Sequence, residues 1–413
     1  MEADAILPAG SGKNIVIVAG EASGDLHGSM LVAEMLRLDP GARFFGIGGD
    51  RMKKAGVELT AHASDLAVVG VTEVIPKLAA ILACRRALKD RIRRDRPDLL
   101  ILIDFPDFNM PLAKFAHKQG IPVFYYISPQ VWAWRKNRIY FLEKYVDAMA
   151  VILPFEEEIY RSTRLPVRFV GHPLLDRVLL RESREKAAKR LGLEPGRTTV
   201  ALLPGSRRKE VSSLLPVMFD TARLIADLVP GVQFVLPLAE GIPVDALDEA
   251  GREHAPDIIV VRDSFYEALG AADGAIVASG TSTLEAALLE VPMVIIYKVS
   301  VLSYLLGRMF INVDYIGLVN IIAGRRVVPE YIQGNVNPAA IAGELTSMLT
   351  GGTRRSGVLS DLRELRTRLG EPGAAARAAA MAFELIHRDP ATRAGNNSSG
   401  HIPASPFSGG GAS

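Results

Sequence analysis

Residues 14–25 read NIVIVAGEASGD, and this stretch decides the fold. Asn14–Ala19 is a short, almost wholly apolar run, the pattern of a parallel strand covered on both faces. Gly20–Asp25 then supplies a glycine-bearing turn ahead of an amphipathic segment, Ser29–Leu38. The same alternation recurs at Leu99–Ile103 (LLILI), followed by a helical Leu112–Gln119, and at Val123–Ile127 (VFYYI). After Pro195 and Gly196 it restarts with Thr199–Leu203, Gln233–Leu236, Ile258–Val261, Gly274–Ala278 and Met293–Tyr297. Two runs of alternating strand and helix predict two doubly wound α/β domains.

The boundaries read from composition are 14–180 for the first domain and 197–350 for the second, with a charged connection over 176–196. Helices follow over 355–390, the last at Gly373–His387, with a possible return to the first domain. Residues 394–413 form a Gly/Ser-rich tail whose composition predicts disorder.

Composition narrows the function. The chain has 413 residues, enough for two domains, with 49% hydrophobic and 23% charged residues. Its 48 Lys and Arg against 46 Asp and Glu argue against a nucleic-acid binder that is basic throughout. A single cysteine, Cys84, excludes an intrachain disulfide framework; it is expected to be packed or lipid-facing rather than nucleophilic. No apolar run reaches spanning length, and the N-terminus lacks a secretory pattern. The expectation is a cytoplasmic protein without a spanning helix.

Ligands of open parallel sheets bind beyond the carboxyl ends of the strands, so the segments after each strand carry the chemistry. Gly20–Asp25 offers backbone N–H groups at a helix start, or simply a tight turn with Ser23 or Asp25 as the cap. It matches neither dinucleotide nor P-loop spacing. After Leu99–Ile103 come Asp104, Phe105, Pro106, Asp107, Phe108 and Asn109. Asp104, at the strand end, is the candidate general base; Asp107, just before the next helical run, reads as a cap. After Val123–Ile127, the loop Ser128–Arg135 (SPQVWAWR) holds both tryptophans of the chain. Its Ser128, Gln130, Trp132 and Arg135 suit a ligand wall, with core packing the alternative for the indoles.

In the second half, Gly205, Ser206 and Arg207 combine close backbone approach, a hydroxyl and a bidentate cation, chemistry suited to a diphosphate. Ser279, Gly280, Thr281 and Ser282 open a helix and can cradle phosphate, while Glu285 could accept from a ribose diol or serve as a capping partner. No His/Cys cluster has ligand spacing, so neither a metal nor a cofactor is expected. His172, in Gly171-His172-Pro173, fits a turn or inter-domain hydrogen bond as well as catalysis.

Near-neutrality conceals one patch. Leu66–Ile81 is apolar apart from Glu73 and Lys77, and Pro76 is expected to break or kink any helix there. Arg85, Arg86, Lys89, Arg91, Arg93, Arg94 and Arg96 follow, against only Asp90 and Asp95. That pairing suits a membrane-surface element, or a buried helix with a solvated basic face. A second apolar stretch, Val299–Ile322, could extend it or be core.

The motifs GEASGD (20–25), IDFPDFN (103–109), SPQVWAWR (128–135), FVGHP (169–173), LLPGSR (202–207) and ASGTSTLE (278–285) stand in an order that closely resembles the bacterial lipid-A-disaccharide synthase family. Asp314-Tyr315 with Leu318, Asn320 and Ile321, then Ala323-Gly324-Arg325, also fit. The resemblance implies a GT-B fold: two Rossmann-like domains facing a cleft. It implies an inverting, metal-independent transfer from UDP-2,3-diacylglucosamine to 2,3-diacylglucosamine 1-phosphate (lipid X), at the inner-membrane surface. Gly205–Arg207 and Ser279–Ser282 would then hold diphosphate, Glu285 the ribose, and Asn320 a further polar contact. Asp104 or Asp107 would be the base, with Glu21, Ser23 and Asn109 positioning sugar. A homodimer with exchanged C-terminal segments is also possible in the family. The competing readings are another GT-B enzyme of UDP-N-acetylglucosamine, such as a 2-epimerase, or a non-catalytic nucleotide-sugar-binding membrane adaptor.

Overall fold

The computed structural model describes residues 12–66, 74–133, 137–178, 182–252, 255–299 and 314–388. The Gly/Ser tail, Arg135, residues 67–73 of the apolar stretch Leu66–Ile81 and residues 300–313 of Val299–Ile322 lie outside the described residues.

Seven parallel strands build the first sheet: β1 (Asn14–Ala19), β2 (Arg43–Gly48), β3 (Val57–His62), β4 (Leu99–Ile103), β5 (Val123–Tyr126), β6 (Ala148–Val151) and β7 (Val167–Phe169). Their order is β3-β2-β1-β4-β5-β6-β7. Six more build the second: β8 (Thr199–Leu203), β9 (Gln233–Pro237), β10 (Ile258–Val261), β11 (Gly274–Ala278), β12 (Met293–Tyr297) and β13 (Glu330–Ile332), in the order β10-β9-β8-β11-β12-β13. These too are all parallel. The strand order reverses between β1 and β4, and again between β8 and β11. Each reversal opens a crevice at the carboxyl edge, because the connecting helices leave on opposite faces.

The period of two in β1 shows why continuous apolar runs are required. Ile15, Ile17 and Ala19 belong to the core on one face of the sheet, Val16 and Val18 to the core on the other. The first of these cores is closed by the helix Ala374–His387, which packs against the helix Ala22–Leu38. Ala374, Ala375, Ala378, Ala379 and Ala382 are all buried there, and their short side chains let the two backbones approach closely. Leu174, Leu175 and Val178 lie in the core of the second sheet.

Two local expectations change. The helix after β1 begins at Ala22, so most of GEASGD is its first turn rather than a preceding loop. The helix Val74–Asp95 runs through Pro76, because a proline in the first turn lacks only an N–H that has no intrahelical partner anyway.

Candidate active site

The crevice between β1 and β4 is built by two interlocking segments. Gly20 lies beneath the Phe105 ring, and a Cβ on it would come within 2.2 Å of that ring. Asp104 and Phe105 both take left-handed conformations, with φ of 43° and 47°. Such angles are uncommon for residues other than glycine and are held here by the surroundings. The Asp104 carbonyl accepts from the Tyr125 hydroxyl at 2.6 Å and from Asn109 Nδ2 at 2.7 Å, and the same Nδ2 reaches the Ile103 carbonyl at 3.2 Å. Asn109 is fully buried and thus pins the strand end that carries Asp104.

Burial pushes the Asp104 carboxyl up to about 6, and the nearby Glu21 charge pushes the same way; the Phe105 N–H opposes both. Glu21 and Ser23 are exposed at the helix start. Asp107 is different: it is 72% exposed and ion-pairs with the nearly buried Arg138. It does not cap its helix, whose cap position is Phe105. Asp25 does cap a helix, but not its own. Its carboxylate accepts from the N–H groups of Gly49 (2.6 Å), Arg51 (3.1 Å) and Met52 (3.0 Å) at the start of the helix Asp50–Lys54.

The wall after β5 is partly structural. The Ser128 hydroxyl is buried and hydrogen-bonded to the Tyr160 hydroxyl at 2.7 Å. Trp132 rests edge-on against Phe155, with centroids 5.3 Å apart, and touches the second core. Gln130 is exposed. His172 is buried and held well below its ordinary pKa, at about 3, by burial and by His27. Its N–H donates to the Leu369 carbonyl at 2.9 Å and its Nδ1 accepts from Leu174 at 3.2 Å, so it fixes a turn.

The second crevice is an open cleft of about 450 Å³. It gathers Gly205, Ser206 and Arg207 with Ser279, Gly280, Thr281 and Ser282, bringing together residues more than seventy positions apart. Gly205 (φ 98°) and Gly280 (φ 151°) take backbone conformations that favour glycine. Gly280 caps the helix Thr281–Leu288, so that helix's first-turn N–H groups meet the cleft. Arg207 is 77% exposed, its guanidinium 3.1 Å from Glu210. Glu285, on the helix Thr281–Leu288, is not among the residues that line this cleft. Tyr266 donates to its carboxyl at 2.7 Å, and burial raises its pKa.

Asn320, expected as a further polar contact, has its amide engaged within the fold. Its Oδ1 accepts from Val327 (2.7 Å) and Val328 (3.0 Å), and its Nδ2 donates to the Val328 carbonyl (2.8 Å) and to Glu330 (2.7 Å). Four bonds use its full capacity. Glu330 in turn accepts the N–H groups of Ile316 and Gly317, both at 2.9 Å, and the Ile316 carbonyl takes the Ser279 hydroxyl at 3.3 Å. Asn320 therefore shapes the loop against which Ser279 rests.

The basic helix Val74–Asp95 divides in two. Arg91 is only 17% exposed: it pairs with Glu58 and Asp95 and lies over the Phe45 ring at 4.3 Å, so it is a packing residue rather than a free surface cation. Lys89 and Arg93 flank Phe115 at 5.1 and 4.9 Å. Arg86, Arg93 and Arg94 are exposed, Arg85 is half-buried, and Leu78 and Leu82 expose apolar surface on the preceding turns. Arg93 pairs with the exposed Asp90, and Arg94 with the half-buried Asp95 that Arg91 also holds. Cys84 is half-buried and its thiol pKa is raised, first by burial. Among the described residues no helix is long and apolar enough to cross a membrane, and no group of three or more His, Cys, Asp or Glu could hold a metal ion.

Comparison with known proteins converges. Similar folds include the calicheamicin glycosyltransferase (16% identity, TM-score 0.59, covering 91% of this chain and 99% of that one) and the UDP-GlcNAc 2-epimerase of Neisseria meningitidis (11%, 0.58, 90% and 99%). These show a fold shared with GT-B glycosyltransferases. At the sequence level, the lipid-A-disaccharide synthase of Syntrophus aciditrophicus is 54% identical over 377 residues, 91% of this chain and 98% of that protein. The synthase of Coxiella burnetii is 42% identical over 376 residues, 91% and 99%. The family model described as lipid-A-disaccharide synthetase matches residues 15–383, which include both crevices. On the strength of this match over residues 15–383, the chain belongs to the lipid-A-disaccharide synthetase family of glycosyltransferases.

Proposed function

We propose that this protein transfers the diacylglucosamine of UDP-2,3-diacylglucosamine to the 6-hydroxyl of 2,3-diacylglucosamine 1-phosphate, releasing UDP. The observation that carries the division of labour is the pairing of two unlike crevices at the same topological position. In this reading the first half (14–180) takes the acceptor and the second (197–350) the nucleotide sugar.

Asp104 is the base. With a pKa of about 6 it is ionised at neutral pH yet more basic than an ordinary carboxylate. The acceptor oxygen forms a bond to C1 as its proton passes to Asp104, and the bond from C1 to the phosphate oxygen breaks on the opposite face. The charge that develops on UDP is met by Arg207, by the N-terminus of the helix Thr281–Leu288 and by the Ser279–Ser282 hydroxyls. Glu285 accepts from the ribose diol. Glu21, Ser23 and Gln130 line the acceptor side, and Asn109 positions Asp104 from beneath.

Both substrates are amphiphilic anions. The exposed Leu78 and Leu82, with Arg86, Arg93 and Arg94 farther along the same helix, support peripheral docking on an anionic inner-membrane surface. A UDP-release assay with and without the acylated acceptor tests the reaction. Acceptor-dependent release supports the synthase; release without acceptor supports the epimerase-like alternative, and none at all the adaptor.

A further inference from the structure

We propose that Glu156 is a positioning residue for the transfer reaction, its buried carboxyl organising the segment that buttresses the Trp132 loop. The inference rests on the acceptor role proposed above for the loop.

Glu156 opens the short helix Glu156–Tyr160 that follows β6 and is 2% exposed. A carboxyl does not stay buried without partners to offset its desolvation. One oxygen accepts the Leu153 N–H at 3.0 Å, and the Glu156 N–H donates back to the Leu153 carbonyl at 3.1 Å, which locks the segment 153–156 into a tight turn. That turn presents Phe155 to the edge of Trp132 at 5.3 Å. One helical turn on, the Tyr160 hydroxyl holds Ser128 at 2.7 Å. The loop 128–133 is thus buttressed at both ends by the segment that Glu156 organises. The buried Trp132 indole N–H lies close enough to the carboxyl to lower its pKa, without closing a hydrogen bond.

Burial pushes the Glu156 carboxyl up to about 8, with the Asp104 charge acting in the same direction. The Leu153 and Ile152 N–H groups and the Trp132 indole oppose the rise. Tyr160 is the other titratable group that senses it. At pH 7 the residue is therefore mainly a neutral acid, which a glutamine can mimic and an alanine cannot.

Two measurements test this. In a Trp134→Phe background, which leaves Trp132 as the sole tryptophan, emission should titrate with a midpoint near pH 8, and Glu156→Gln should abolish that titration. In the full chain, Glu156→Gln should keep kcat/KM at pH 7 within about threefold, whereas Glu156→Ala should lower it about tenfold or more for the acceptor, with UDP affinity unchanged. Emission that stays flat, or that titrates alike in Glu156→Gln, overturns the proposal, as does wild-type turnover by Glu156→Ala. If the alanine variant does not fold, the glutamine variant and the emission decide. Absence of acceptor-dependent transfer in the wild-type protein contradicts the proposed reaction instead and leaves the Trp132 titration as it stands.

Discussion

The two crevices occupy equivalent positions in two sheets whose first six strands run in the same order, yet they use unusual backbone in opposite ways. In the second, the left-handed positions are Gly205 and Gly280, where the absence of a side chain brings backbone N–H groups to the cleft. In the first, the left-handed positions are Asp104 and Phe105, where the side chain is what matters. One places a half-buried carboxyl at the strand end; the other presses its ring onto Gly20. A site that binds by backbone selects glycine. The proposed base is a residue at an uncommon φ held in place by buried partners, Asn109 and Tyr125. The fold sets where chemistry sits, and the choice of residue at positive φ sets which chemistry it is.

That contrast can be broken in order of expected effect. Asp104→Asn should lower kcat by about a thousandfold, within the range of a lost general base, and yet stabilise the protein. The folded-state pKa lies above the ordinary value of 3.8, so the native state holds the proton more tightly than the unfolded chain. The cost of ionisation is absent below about pH 4 and complete above about pH 6. The variant should therefore gain on the order of 2 kcal/mol at pH 8 and lose that advantage near pH 4, as thermal melts can show.

In the second crevice, Arg207→Ala should raise the KM for the nucleotide sugar about ten- to a hundredfold, consistent with loss of a charge-assisted contact, while stability hardly moves because the side chain is exposed. Isothermal titration with UDP checks it; unchanged affinity would remove Arg207 from the donor site. Asp107→Asn, beside Asp104 in sequence but paired with Arg138, should cost no more than about fivefold in kcat/KM. A loss matching that of Asp104→Asn would put the base at the wrong carboxylate. The smallest effect is expected at the membrane. Reversing Arg86, Arg93 and Arg94 should reduce sedimentation with anionic vesicles, each cation contributing about 1 kcal/mol, and leave turnover of detergent-dispersed substrate unchanged. Arg91 has to be spared, because it ties the helix to Glu58 and Phe45.

Strand runs and strand-end loops were legible because both are local. LLILI suits a buried parallel strand at that length, and Asp104 follows it directly. Partnerships across long separations were not. Nothing near Asp25 marks it as the cap of a helix some 25 residues on, and nothing near Asn320 shows that its amide is saturated by Val327, Val328 and Glu330. Arg91 reads as one cation among seven until Glu58 and Phe45 are brought beside it. Glu156 is not legible because a Leu-Pro-Phe-Glu turn looks like an ordinary helix start; the usable signal is its place in the segment that follows β6, beyond the carboxyl end of a strand.

The central claim is that Asp104 is the base of the first crevice and Asp107 a structural ion-pair partner. It is tested most directly by the pH dependence of single-turnover transfer, with saturating enzyme and defined donor and acceptor. The account predicts an acid limb near pH 6 in the wild-type protein and in Asp107→Asn, and no such limb on the residual rate of Asp104→Asn. A limb that persists in Asp104→Asn and vanishes in Asp107→Asn would contradict it.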